Sequence, residues 1–191
     1  MNNTAFNKLS REQELIRNII YKTGYLNLDQ IKSILKGVPD KGLDIILNVL
    51  CVKQYIDRTG DVFYPHGITD HISRINTDGI WAFINEISNR EDYKTVEKAE
   101  FPSNYGFIVD SKVMYEIAVI TSDNMINLLQ LQNRFYAQYG RGEVTFFKYI
   151  FVIEDENMLD KIAEYDLKIP HKIVLLEYDS AEKRPIFKTF E

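Results

Sequence analysis

Few residues in this chain have types and spacings that could do chemistry, and the most informative of them lie between Phe101 and Thr121. That segment reads Phe-Pro-Ser-Asn-Tyr-Gly-Phe-Ile-Val-Asp-Ser-Lys-Val-Met-Tyr-Glu-Ile-Ala-Val-Ile-Thr. It predicts a strand, a tight turn at Asp110, Ser111 and Lys112, and a second strand with Val113, Tyr115, Ile117 and Val119 on one face. The other face, Met114, Glu116, Ala118 and Ile120, is interrupted only by Glu116. A strand carboxylate is useful for hydrolysis when other oxygen ligands help it hold a hard cation and a lysine assists the attacking water. Here Asp110 falls in the turn and Lys112 on the turn side of Glu116, so neither completes such a set.

The layout resembles the core of the PD-(D/E)XK nucleases, in which an aspartate opens one strand and an acid-x-lysine triplet on the next converges with it on a divalent metal. Pro102 and Glu116 stand where that pattern wants them, whereas Ser103 replaces the aspartate and Ala118 replaces the lysine. The resemblance therefore implies a nuclease-like scaffold without its chemistry. Glu116 is a relic position, Ser103 and Ala118 are degraded ones, and no metal, cofactor or catalytic residue is expected. For Glu116 the residues also allow a purely structural role, as a carboxylate at a sheet end satisfied by hydrogen bonds.

Other candidates are weaker. Glu154, Asp155 and Glu156 form an acidic run, but acids at a helix start are expected from capping and the helix dipole. His66, His71 and His171 are scattered without metal-ligand spacing. Trp81 and the tyrosines recur at helical or strand spacing, which points to core packing. No glycine-rich phosphate loop or nucleophile motif is present.

With 191 residues and 45% hydrophobic content the chain can bury one large core or two small ones, which excludes a disordered class. A lone cysteine, Cys51, rules out an intramolecular disulfide and a cysteine-based zinc site. The first residues lack the basic start and apolar run of a signal peptide, and no segment reaches the roughly 18 apolar residues of a membrane span, so a cytoplasmic protein without membrane partners is expected. Residues 1–67 carry nine Lys and Arg against seven Asp and Glu, and residues 68–191 carry 14 against 21. The net charges, +2 and −7, sum to the −5 of the whole chain and assign any nucleic-acid contact to the first segment.

Two domains are expected to hold these residues, at 1–67 and 68–191. In the first, Leu15, Ile16, Ile19 and Ile20 mark one face of a helix from about residue 10 to 22, opened by a Ser10/Gln13 capping box. Leu28, Ile31, Ile34 and Leu35 predict a second helix. Leu43, Ile46, Leu47, Leu50 and Cys51 predict a third, with Asp40 as its cap. Two β-prone runs flanking Thr59, Gly60 and Asp61 predict a hairpin. Three helices and a hairpin give the order of a winged helix, with the third helix placed for the major groove and the hairpin as wing. On that reading Lys41, Asn48 and Lys53 on the third helix and Arg58 on the wing contact double-stranded DNA. Asp40 and Asp44 on the same helix oppose phosphate contact.

In the second segment the pattern predicts a helix over 76–90 capped by Thr77 or Asp78, a weak strand over 93–101, and the hairpin described above. A helix over 123–139, a strand over 144–153, a short helix over 156–164 and a strand over 172–178 follow. The fold class is thus α+β to α/β: a winged helix followed by a restriction-endonuclease-like mixed sheet. The combination resembles the bacterial replication-relaxation family, in which a winged helix precedes a degraded nuclease-like domain in proteins of plasmids and conjugative elements. Pro102-Ser103, Glu116 and the helix Leu128-Leu-Gln-Leu-Gln-Asn-Arg-Phe-Tyr-Ala-Gln-Tyr139 carry the likeness. It implies a non-catalytic DNA-binding or regulatory accessory protein, with DNA, a second copy of the chain or another mobile-element protein as partners. Two alternatives stay open: a divergent metal-dependent nuclease with a relocated site, and a protein-interaction module that does not bind DNA.

Overall fold

A computed structural model describes residues 8–68, 72–88, 93–109, 112–178 and 185–190. His71, Asp110 and Ser111, considered above from the sequence, lie outside the described residues. The chain divides into two compact units, Met1–Ile72 and Ser73–Glu191.

The first unit runs α1 (Arg11–Thr23), β1 (Leu26–Asn27), α2 (Leu28–Ile34), α3 (Asp40–Val52), β2 (Ile56–Thr59) and β3 (Val62–Pro65). Ser10 and Gln13 form the expected capping box, and Gly24 ends α1 in the left-handed conformation, at φ 92°. A second capping box, Asn27 with Gln30, opens α2. At α3 the expectation of an Asp40 cap is corrected. Pro39 occupies the extended entry position without a side-chain cap, and Asp40 is the first helical residue, paired with Lys32 at 3.0 Å. The hairpin pairs Thr59 with Val62 across Gly60 and Asp61, and Gly60, at φ 61°, supplies the positive φ that this tight turn requires. The two-residue strand β1, which the sequence reading did not anticipate, adds Leu26 opposite Phe63 and gives a sheet in the order β1-β3-β2. Ile16, Ile20, Leu26, Ile31, Leu50 and Phe63 are fully buried, so the three helices and the small sheet share one core.

The second unit runs α4 (Arg74–Ile87), β4 (Tyr93–Lys98), β5 (Tyr105–Val109), β6 (Val113–Val119), α5 (Asn127–Tyr139), β7 (Phe147–Ile153), α6 (Met158–Ala163), β8 (His171–Tyr178) and β9 (Pro185–Phe190). Its six-stranded mixed sheet has the order β4-β5-β6-β7-β8-β9. The first three strands are an antiparallel meander, β6, β7 and β8 are parallel, and β9 returns antiparallel to β8. Each parallel step needs a crossover, which α5 and α6 provide.

Both crossover helices cover one face of the sheet, burying Leu128, Leu131, Phe135, Met158 and Ile162 against Ala118, Tyr149, Phe151 and Leu175. The helix α4 covers the other, where Phe83 meets Phe107 edge-on and Phe107 stacks on Tyr115. At Gly79 the backbone of α4 comes so close to β5 that a Cβ there would meet the Tyr105 ring at 3.0 Å.

Several elements differ from the sequence reading, which also begins β7 at 144 and carries β4 to 101. Ser73, rather than Thr77 or Asp78, caps α4, accepting from the Asn76 N–H at 3.1 Å. The helix α5 starts at Asn127 instead of Asp123, because the Asn124 amide captures the chain before it: its Oδ1 accepts from Thr121 N at 2.7 Å and its Nδ2 donates to Val119 O at 3.0 Å. The strand β9 was not expected at all.

Candidate functional site

Glu116 lies in the middle of β6, opposite Gly106 of β5 and Tyr149 of β7, with its side chain on the face covered by α5. Ser103 lies in the loop before β5, fixed by its N–H donating to Glu100 O at 3.0 Å. Arg134 reaches the same point from α5. It occupies the inner stripe of that helix, three residues after Leu131 and beside Phe135, both buried. An arginine on a core-facing position has to find acceptors or lose its hydration uncompensated.

It finds five. Nη1 donates to the backbone oxygens of Glu100 at 2.7 Å and Phe101 at 3.4 Å. Nη2 donates to Ser103 Oγ at 2.9 Å, to Tyr149 Oη at 3.5 Å, and to Glu116 Oε2 in a short ion pair. The Ser103 hydroxyl, accepting from Arg134, donates in turn to Glu116 Oε2 at 2.6 Å. Two donors therefore converge on one carboxylate oxygen, and both side chains of the ion pair are largely buried, at 12% and 21% exposure.

The electrostatics follow from that packing. Burial works against the Arg134 charge, but the Tyr149 hydroxyl and the Glu116 and Glu100 carboxylates outweigh it and hold the guanidinium above its ordinary pKa. Burial pushes the Tyr149 phenol up, against the opposing pull of Arg134. A groove of about 370 Å³ opens beside the pair, bordered by Lys98, Glu100, Met114, Glu116, Arg134 and Gln138.

Chemically, this arrangement gives a buried carboxylate a fixed cationic partner and holds it immobile. A divalent cation on Glu116 Oε2 would have to displace a guanidinium held by four other acceptors. Ala118, at the position the nuclease pattern gives to lysine, is fully buried in the core under α5. Among the described residues no group of three or more His, Cys, Asp or Glu side chains is placed to hold a metal ion.

The sequence reading brought Ser103 and Glu116 together and missed Arg134 and Tyr149. The signal for Arg134 was a charge on the apolar stripe Leu128, Leu131, Phe135. Tyr149 carried none, being one aromatic among several in a buried strand.

The expected DNA-contacting residues lie in the first unit. Lys41 and Asn48 are exposed on α3, and Lys53, half-buried, is its C-cap. Between them on the outward face stand Asp44, Ile45 and Val52, with Ile45 57% and Val52 82% exposed. Arg58 is engaged within its own hairpin: Nε donates to Gly60 O at 2.7 Å, and the guanidinium lies 5.3 Å from the Phe63 ring centroid. His66 pairs with Asp57 at 2.8 Å, and the other oxygen of Asp57 accepts from Gly67 N at 2.8 Å. The Gly67 N–H first, and His66 after it, hold Asp57 below its usual carboxylate range. No helix among the described residues is long and apolar enough to cross a membrane.

Comparison with models of known protein families gives no match, and no curated protein sequence matches the chain.

Proposed function

We propose that the protein is a non-catalytic DNA-binding accessory protein, with a winged helix for DNA and a nuclease-like α/β unit whose active-site position has been converted into a structural ion pair. One observation carries the second half of this reading: Arg134 donates to the same Glu116 oxygen that a metal-dependent nuclease would offer to its cation. The guanidinium provides the positive charge that a metal would otherwise bring, and it provides it permanently, without a water to activate. For the first half, the order α1-β1-α2-α3-β2-β3 with its β1-β3-β2 sheet supports a winged-helix reading, and Lys41 and Asn48 are exposed on the helix such a domain places in the major groove. The context of a bacterial mobile element, in which another protein of that element is a partner, rests on the resemblance of the two-domain order to replication-relaxation proteins.

A second reading is favoured by Ile45 and Val52. An outward helix face bearing two exposed aliphatic side chains and Asp44 suits a protein partner better than a phosphate backbone. Titration of labelled duplex DNA at 50 and 200 mM salt, with and without magnesium, separates the readings. Binding that weakens steeply with salt and is lost in a Lys41→Ala, Lys53→Ala double variant is the expected result. Absence of binding at low salt leaves the protein-interaction reading, and magnesium-dependent cleavage would overturn the non-catalytic one.

A further inference from the structure

Asp78 is the most deeply buried acidic side chain among the described residues, at 0% exposure in the second turn of α4. Its Oδ1 accepts from the Tyr178 hydroxyl at the end of β8. Its Oδ2 has no hydrogen-bond partner among the described residues. A buried carboxylate oxygen without a donor loses its hydration with nothing in return.

Among the described residues the charged and titratable groups facing Asp78 are few. Arg74, one turn back on α4, places Nε 3.9 Å from Oδ2, beyond hydrogen-bonding distance, because that Nε is bound to Glu154 Oε1 at 2.9 Å. Glu154, just past the end of β7, stands across the same Arg74 Nε, which lies 2.9 Å from its Oε1 and 3.9 Å from Asp78 Oδ2, so the two carboxyl groups flank one guanidinium. Tyr178 comes from the end of β8, and β5 meets α4 beside Asp78 with the apolar ring of Tyr105 against Gly79. Two carboxyl groups thus flank Arg74 at the carboxyl ends of two parallel strands, and that guanidinium, the one cation near them among the described residues, is committed to one of them.

We propose that Asp78 and Glu154 share one proton, and that this shared proton is a pH-sensitive latch closing α4 onto the ends of β7 and β8. With Asp78 protonated, its O–H donates to the Glu154 carboxylate, the orphaned oxygen gains a partner, and Arg74 balances the single remaining negative charge. When the proton leaves to solvent, two anions face each other and only one is paired. Burial, reinforced by Glu154 and opposed by Tyr178 and Arg74, raises the Asp78 carboxyl from its ordinary range to about 6. Its folded-state pKa thus lies above its unfolded one, so the latch stabilises the fold fully below about pH 4 and loses its hold as pH rises through about 6.

The test is Asp78→Asn in the full chain. The substituted amide accepts from Tyr178 and donates to Glu154 at every pH, so it imitates the closed latch permanently. Melting temperature is measured from pH 4.5 to 8.5 for the wild type and for Asp78→Asn. The wild type is expected to lose several degrees between pH 5 and 7.5 relative to the variant, which melts higher at pH 8 despite losing a buried charge. Glu154→Gln offers the donor from the opposite side and is expected to flatten the same pH dependence even though it breaks the Arg74 pair. Parallel pH profiles for wild type and Asp78→Asn, or a lower melting temperature for Asp78→Asn at pH 8, would overturn the proposal. So would a magnesium-dependent stabilisation at pH 8 that Asp78→Asn abolishes, since the pair would then hold a cation in place of a proton.

Discussion

The two faces of the larger sheet solve one electrostatic problem in opposite ways. Under α5, Glu116 receives a dedicated guanidinium and a serine hydroxyl on a single oxygen. Under α4, Asp78 is buried more completely, yet Arg74, the only arginine in reach among the described residues, is spent on Glu154. The difference is where the cation stands: Arg134 projects from the interior stripe of its helix, whereas Arg74 lies at the first turn of its own and remains 68% exposed. The direction in which the arginine leaves its helix thus decides which of the two buried carboxylates is paired.

The comparison breaks most visibly at Arg134. Its replacement by Ala leaves Glu116 buried with Ser103 as its remaining side-chain donor and frees the oxygens of Glu100 and Phe101, so a loss of roughly 3 to 5 kcal/mol in urea unfolding is expected, of the size found when one partner of a buried pair is removed. Glu116→Gln is expected to cost less, about 2 kcal/mol, because the amide oxygen still accepts from both donors. Its melting temperature should be indifferent to magnesium, as should that of the wild type, and a magnesium-dependent rise in the wild type alone would reinstate a metal site. Combining the two substitutions sharpens the point: the double variant should be destabilised by less than the sum of the singles, since each alone strands the other's charge. The smallest effect is that of Ser103→Ala, about 1.5 kcal/mol, because it removes the two hydrogen bonds of the hydroxyl, from Arg134 and to Glu116, and leaves the ion pair standing.

How much of this was readable in the sequence depends on how local each signal is. The capping box at Ser10 and Gln13, the turn at Gly60 and the stripes of α1 and α3 are encoded within a few residues and stand as expected. The start of α5 was displaced because Asn124 can satisfy backbone groups as well as a helical turn can, a competition that periodicity does not register. The strand β9 escaped because an edge strand beginning with proline and exposing most of its side chains has little apolar alternation to detect. At the candidate site Ser103 and Glu116 were joined by an expected hairpin, while Arg134 enters from 18 residues beyond Glu116, a distance over which spacing has no meaning. Asp78 misled for a simpler reason. An aspartate near a helix start reads as a cap, and only the position of Ser73 as the true cap puts it a turn and a half inside, on the buried face.

The close approach at Gly79 bears on more than packing. A Cβ there would require the Tyr105 ring or α4 to give by a few tenths of an ångström, and where the helix is what yields, Asp78, the adjoining residue, rises toward water with it. Hydration would then favour its anion, and the carboxyl would return toward ordinary acidity. One absent methyl group thus lets a helix lie deep, and through that depth bears on the proton affinity of its neighbour.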